Sequence, residues 1–326
     1  QTGSGLGTGP LVQWRDGVAA YIWSRTWPST IQIDRDITAA IIKVAWTPNM
    51  LAVYGPLPRS TYVQHFAHTV TAMGGLEIGN AEGCYALDAT YEFHLNTWEV
   101  TNSSRLVVGR DLVISRFTPG RLLVDKSARV SVLGSLRVAS PGVGDYRTWG
   151  LMEVRSGVVD IAGDLSIGWL GGIDTDRLGS RPVGTYVQSG GTVTVGGRVL
   201  VAPSDLGGYN GGGGQTLGSV QMTISGGSLS VNSNLIVCST TSTVTPIIPT
   251  LSLTGGILDV TGELIVNNGR TTSNPSSRFS IGEVLISEGT VTVGALQLVK
   301  QNVLPFPYGT LKLSGGTLHV VGNVEV

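Results

Sequence analysis

The residues that could do chemistry in this chain are few. Asp160 and Asp259 occupy equivalent places in a repeating pattern, three repeats apart. At a strand spacing of about 4.8 Å that is roughly 14 Å, too wide for a glycosidase carboxylate pair. The four histidines, His65, His68, His94 and His319, have no metal-ligand spacing. His65 and His68 are three residues apart, which suits a helix face and not one face of a strand, so they are expected as a solvated pair. Asp174, Asp176 and Asp205 could gather around Ca²⁺, since hard cations take several oxygens, but no spaced ligand motif joins them. Cys84 and Cys238 are too few for a disulfide framework, and two buried thiols are expected ahead of a single bridge between them. Asn102-Ser103-Ser104 matches an N-glycosylation sequon. The sequence has no nucleophile elbow, P-loop or dinucleotide fingerprint. We therefore assign no catalytic, cofactor-binding or metal-binding residue and expect a chain that is not an enzyme and needs no cofactor.

The elements that would position any site are far clearer. Tyr186–Val201 reads as three short strands cornered by Gly190-Gly191 and Gly196-Gly197. Thr192–Val195 alternates polar and apolar, the mark of a strand with one face in a core, and Val199 and Val201 resume the alternation after the bend. Anchored on the equivalents of Gly191, the unit recurs at Ser104, Ala128, Gly157, Gly191, Gly227, Gly256, Gly289 and Gly316, separated by 24 to 36 residues. The inward pairs after each anchor run from Val130/Val132 to Leu318/Val320, and those after the bend from Leu136/Val138 to Val324/Val326. Such a period means a solenoid, propeller or array. Three strands per repeat and one connection of elastic length select a parallel β-helix of about eight three-stranded coils, an all-β rod of roughly 35 to 40 Å. Gln188 is the misfit: it falls where Ile224, Leu253, Ile286 and Leu313 point inward, and buried hydrogen bonds are expected for it.

The pattern S-G-G-x-V-x-V-x-G-x-L-x-V resembles the β-helix repeats of secreted bacterial surface proteins, including autotransporter passenger domains and the repeats of exported planctomycete-type proteins. The resemblance covers roughly residues 99–326. It implies this fold, export and a place outside the cell or on its surface, and says little about activity, because adhesins, enzymes and assembly proteins share such folds.

Bulk properties agree with a β-rich rod: 41% hydrophobic residues, 47 glycines, 13% charged residues and a net charge of −1. That charge gives no reason to expect nucleic acid as a partner, and no apolar run is long enough to span a membrane. Residues 1–98 differ in texture. Residues 1–10 form a Gly, Ser and Thr arm, and Trp14, Trp23 and Trp27 suggest a cap or an assembly surface. Ile31, Ile33 and Ile37, and again Gly74 to Ile78, have coil-like spacing. Two surfaces are expected to associate. One is the last coil, Leu318, Val320, Val324 and Val326, which carries no polar cap. The other is the outer side of the strand after the bend, where Leu200, Ile236 and Ile265 form an apolar column to be covered either by a long loop of the chain itself or by a neighbouring subunit. Together they suggest a structural, self-assembling extracellular subunit, joined head to tail to other copies in a filament, sheath or surface layer. An adhesin-like passenger domain, with a cell-surface glycan as ligand, is the alternative, followed by a polysaccharide-acting enzyme.

Overall fold

A computed structural model of the chain describes residues 16–22, 29–44, 61–79, 95–116, 118–140, 149–168, 183–203, 219–238, 241–242, 248–268, 278–279, 281–299 and 309–326. These residues form strands and corners and no helix. Each coil contributes one strand to each of three parallel sheets. Sheet A stacks the strands that precede the first corner, sheet B those between the corners, and sheet C those after the bend. In sheet A the strands Ser29–Ile33, Thr61–Phe66, Asn96–Thr101, Gly120–Val124, Trp149–Val154, Val183–Gln188, Val220–Ile224, the first parts of Thr250–Ile265 and Gly282–Gln297, and Gly309–Leu313 pair in that order, which makes ten members. Sheet C begins earlier, at Ala20–Ile22, and closes with Val324–Glu325. The rod is a parallel β-solenoid whose coil count differs from the eight expected, and the ladder already includes the described residues 29–44 and 61–78, with coils spaced around Ile31, Ile33, Ile37 and Leu76.

The register obeys the apolar alternation. Val130, Val159, Val193, Leu229, Leu258, Val291 and Leu318 stand one above another in sheet B. Their side chains and those of the neighbouring sheets form one continuous core along the axis. Burying a branched aliphatic side chain stabilises by about 1.5–3 kcal/mol, so a one-residue slip, which turns the whole set outward, is strongly disfavoured.

The first corner is built from stacked glycines. Gly157, Gly191, Gly227, Gly256, Gly289 and Gly316 all have positive φ. The missing Cβ of each is filled by the backbone of the rung below, as at Gly227, where it would lie 2.3 Å from the Gly191 carbonyl oxygen. In two earlier coils the left-handed residues come before the anchor, at Asn102-Ser103 and Lys126-Ser127. Ser104 and Ala128 are buried there.

Gln188 stays in register, opposite Val154 and Ile224, and is fully buried. It accepts a 2.8 Å bond from Tyr186 Oη and donates to Ser228 O at 2.9 Å and Gly191 O at 3.4 Å. His65 corrects the expectation of a solvated pair. Its strand extends to Phe66, which places it inward between Ile33 and Val100 with no exposed surface, while His68 sits in the corner. Cys238 holds a buried thiol at φ 70°. Cys84 and His94, and Asp174, Asp176 and Asp205, lie outside the described residues. One small pairing leaves the ladder: Thr241–Ser242 runs antiparallel to Arg278–Phe279.

Candidate assembly interface

At each bend before sheet C the backbone makes one repeating bond. Leu76 N donates to Asp111 O, Leu112 N to Ser135 O, Leu136 N to Asp164 O, Leu165 N to Arg198 O, Val199 N to Asn234 O and Leu296 N to Asn323 O, at 2.9–3.2 Å. In the next rung the same donor is Val324 N–H. At the opposite end Ala20 N donates to Ile41 O, so the corresponding acceptor one rung earlier is Ala19 O. Ala19 and Val324 are both exposed. Parallel strands send alternate backbone groups to opposite neighbours. Leu298 N donates to Glu325 O, so Glu325 faces the rung before it and Val324 faces away from it.

Side chains reinforce the series. The amide of Ser135 donates to Asp111 Oδ1 (2.9 Å), that of Asp164 to Ser135 Oγ (3.2 Å), that of Arg198 to Asp164 Oδ1 (2.7 Å) and that of Glu263 to Asn234 Oδ1 (3.0 Å). Each acceptor thus holds the amide of the following rung. Asn323 is the corresponding residue of the last rung and is exposed.

The expected interface residues divide three ways. Leu318 and Val320 are partly buried against the core, whereas Val324 and Val326 are 56% and 95% exposed. Leu200, Ile236 and Ile265 do not form an exposed outer patch. They pack on one another as a separate buried cluster, 1–9% exposed, so the chain itself already withdraws them from water. Trp14, Trp23 and Trp27 lie outside the described residues. Asn323 and Ala19 were missed, because a stacking edge is made of backbone, which apolar periodicity does not report.

Neither a protein-family model nor a curated protein nor a solved structure matches this chain.

The charged residues serve the ladder. Asp160 and Asp259 stand in one column of sheet B, with Thr194 and Ser230 on the rungs between them. On the outer face of sheet A, Tyr62 Oη donates to Glu99, Arg121 pairs with Glu153, and Glu153 also takes the Arg155 guanidinium at 2.6 Å. Burial works against the Glu153 charge, but the two guanidiniums outweigh it and hold its pKa below the ordinary value. Partial burial and the Glu99 carboxylate raise that of Tyr62. Lys43–Glu77 (3.6 Å), Arg116–Glu77 (3.2 Å) and Lys312–Glu283 (2.9 Å) likewise bridge rungs. These pairs lie at the surface with at least one partner half-buried or more, and surface ion pairs contribute about 0–1 kcal/mol each, so they tune register more than stability. No helix among the described residues is long and apolar enough to cross a membrane.

Proposed function

We propose that this chain is a non-catalytic structural subunit whose copies stack end to end, each last rung covered by the first rung of the next copy. The observation that supports the reading is the match between the two exposed edges of sheet C. Among the described residues, one presents the Val324 donor and the Asn323 side-chain acceptor; the other presents the Ala19 carbonyl and amide. An open parallel edge over apolar side chains is a ready pairing surface. A head-to-tail contact of this kind propagates into a filament unless its rotation closes a ring. The resemblance to exported surface repeats supports reading such an assembly as lying outside the cell or on its surface, as a filament, sheath or surface layer. The autotransporter-like type of repeat belongs to the same proposal.

The test uses Val324→Pro. Proline lacks the N–H that would bond Ala19, and that N–H faces away from the chain's own preceding rung, so the variant should keep the fold. Sedimentation velocity and electron microscopy of the wild-type chain are expected to show concentration-dependent linear species, which the variant loses while its circular dichroism is unchanged. Monodisperse wild-type monomers across the concentration range would overturn the proposal.

Glycan binding is the second reading, favoured by a shallow groove of about 510 Å³ whose lining includes Ser230, Asn232, Asp259, Thr261 and Thr292. Those hydroxyl, amide and carboxylate groups could bond sugar hydroxyls. Retention on a glycan array that Asp259→Ala and Asn232→Ala abolish would support it.

A further inference from the structure

His65 and Gln188 occupy the same inward column of sheet A, linked through Val100, Val124 and Val154. Both spend a side-chain nitrogen on the carbonyl three residues ahead, across their own first corner. His65 Nε2 meets His68 O at 2.7 Å, and Gln188 Nε2 meets Gly191 O at 3.4 Å. The corner that His65 closes is tight, with Ala67 at φ 54°. Facing a carbonyl oxygen, Nε2 must carry the proton, so neutral His65 leaves Nδ1 as a bare acceptor. That atom is buried and has no hydrogen-bond partner among the described residues. The rung below offers Ile33 at the paired position and the rung above Val100, both apolar. The titratable groups near the ring are His68, in the same corner, and Asp36, from the rung below. Asp36 Oδ1 already accepts the Thr69 amide at 2.7 Å and lies 3.6 Å from His68 Nδ1. From the rung above, Ser104 Oγ donates to the His65 carbonyl at 2.7 Å.

We propose that His65 is an acid-sensitive latch: protonating it puts an unpaired cation inside the rod and opens the coils around residues 61–79, while the coils held by Gln188 remain closed. A buried charge with no partner is among the least tolerable groups in a protein interior. The glutamine at the equivalent corner makes the same bond without titrating, which confines the switch to one end of the solenoid. Burial lowers the His65 pKa from 6.5 to about 4, the largest influence on it. The open state binds the proton near pH 6.5 and the closed state only near 4, so closure weakens as pH falls between those values and is unaffected above them. With those two constants the opening equilibrium rises about 30-fold at pH 5 and about 80-fold at pH 4.5 relative to pH 8.

Hydrogen exchange of the full chain, followed by mass spectrometry and corrected for the intrinsic pH dependence of exchange, reads this locally. Peptides covering 61–79 are expected to lose about 80-fold in protection between pH 8 and pH 4.5, and those covering 149–168 are expected to change little. His65→Gln should be as protected as wild type at pH 8 and should abolish the loss at pH 4.5. An equal loss in His65→Gln, or no loss in wild type, would overturn the proposal. Direct titration of the His65 ring by NMR needs no variant. A ring that titrates near 6.5 in the folded chain would overturn it, and one that titrates near 4 would support it.

Discussion

Gly227→Ala isolates what the stacked corner requires. Two effects act at that position. An alanine at φ 74° sits in left-handed conformation, which disfavours an L-residue by about 1–2 kcal/mol. Its Cβ would also lie 2.3 Å from Gly191 O, 2.6 Å from Gly190 C and 2.8 Å from Gly190 O, all backbone atoms. No rotamer relieves that contact, so the rungs must separate, and overpacking of this kind costs about 1–3 kcal/mol more. The separation would strain the Ser228 N to Gly191 O and Ile257 N to Gly227 O bonds, each 2.9 Å. The total expected is about 2–5 kcal/mol. Left-handed alanine alone is tolerated by this fold, as Ala139 and Ala202 show at φ 55° and 56°. The control is Gly17→Ala, where φ is 79° and a Cβ would meet nothing within 4 Å; only the strain of about 1–2 kcal/mol applies there. Urea midpoints and local hydrogen exchange over 183–203 and 219–238 measure both variants. Equal destabilisation, or an unchanged exchange pattern in Gly227→Ala, would refute the reasoning that the corner glycines are required by rung contact.

Three further outcomes follow from the interior and the bends. Tyr186→Phe and Gln188→Leu are each expected to destabilise by about 1–3 kcal/mol, because each strands a buried polar partner, whereas the double variant recovers most of the loss; urea midpoints of the cycle decide it. Asn234→Ala removes the acceptor of the Glu263 amide and should lower stability by about 1 kcal/mol, with faster exchange at Glu263 itself. Burial raises the Tyr186 pKa far above 10, so its contribution to stability is complete below pH 10 and is lost as pH rises beyond it. Absorbance at 295 nm should therefore show one phenol that ionises only with unfolding, and Tyr186→Phe should remove that late step.

Much of the fold was legible in the sequence because a solenoid repeats its evidence. Inward pairs such as Val193/Val195 and Leu229/Val231 return at fixed offsets, and their registry in space is the registry of the text. Gln188 was legible for the same reason: a polar residue in an apolar column must find buried partners. His65 was not, because its corner uses Ala67 and His68 where later coils use glycines, and without that punctuation the strand end is invisible. The column of Leu200, Ile236 and Ile265 was placed correctly on the outer side of sheet C. Whether the chain or a neighbouring copy covers it stayed open in the sequence, since alternation reports which way a side chain points and not what lies over it. The backbone donors and acceptors of the end rungs carry no residue-type signature, so the two edges, at Ala19 and at Val324, emerge only from the ladder.

Crosslinking across the two ends tests rung-on-rung assembly most directly. Gln297 pairs with Glu325, and Tyr21 with Lys43, so stacking one copy on the next sets Glu325 beside Tyr21. At a strand spacing of about 4.8 Å two cysteines there fall within disulfide reach. A chain carrying both Tyr21→Cys and Glu325→Cys is predicted to form, under mild oxidation, a ladder of covalent oligomers that reductant collapses, and neither single variant should extend beyond a dimer. Only monomer from the double variant, at concentrations where the wild-type chain associates, would contradict end-to-end stacking through sheet C.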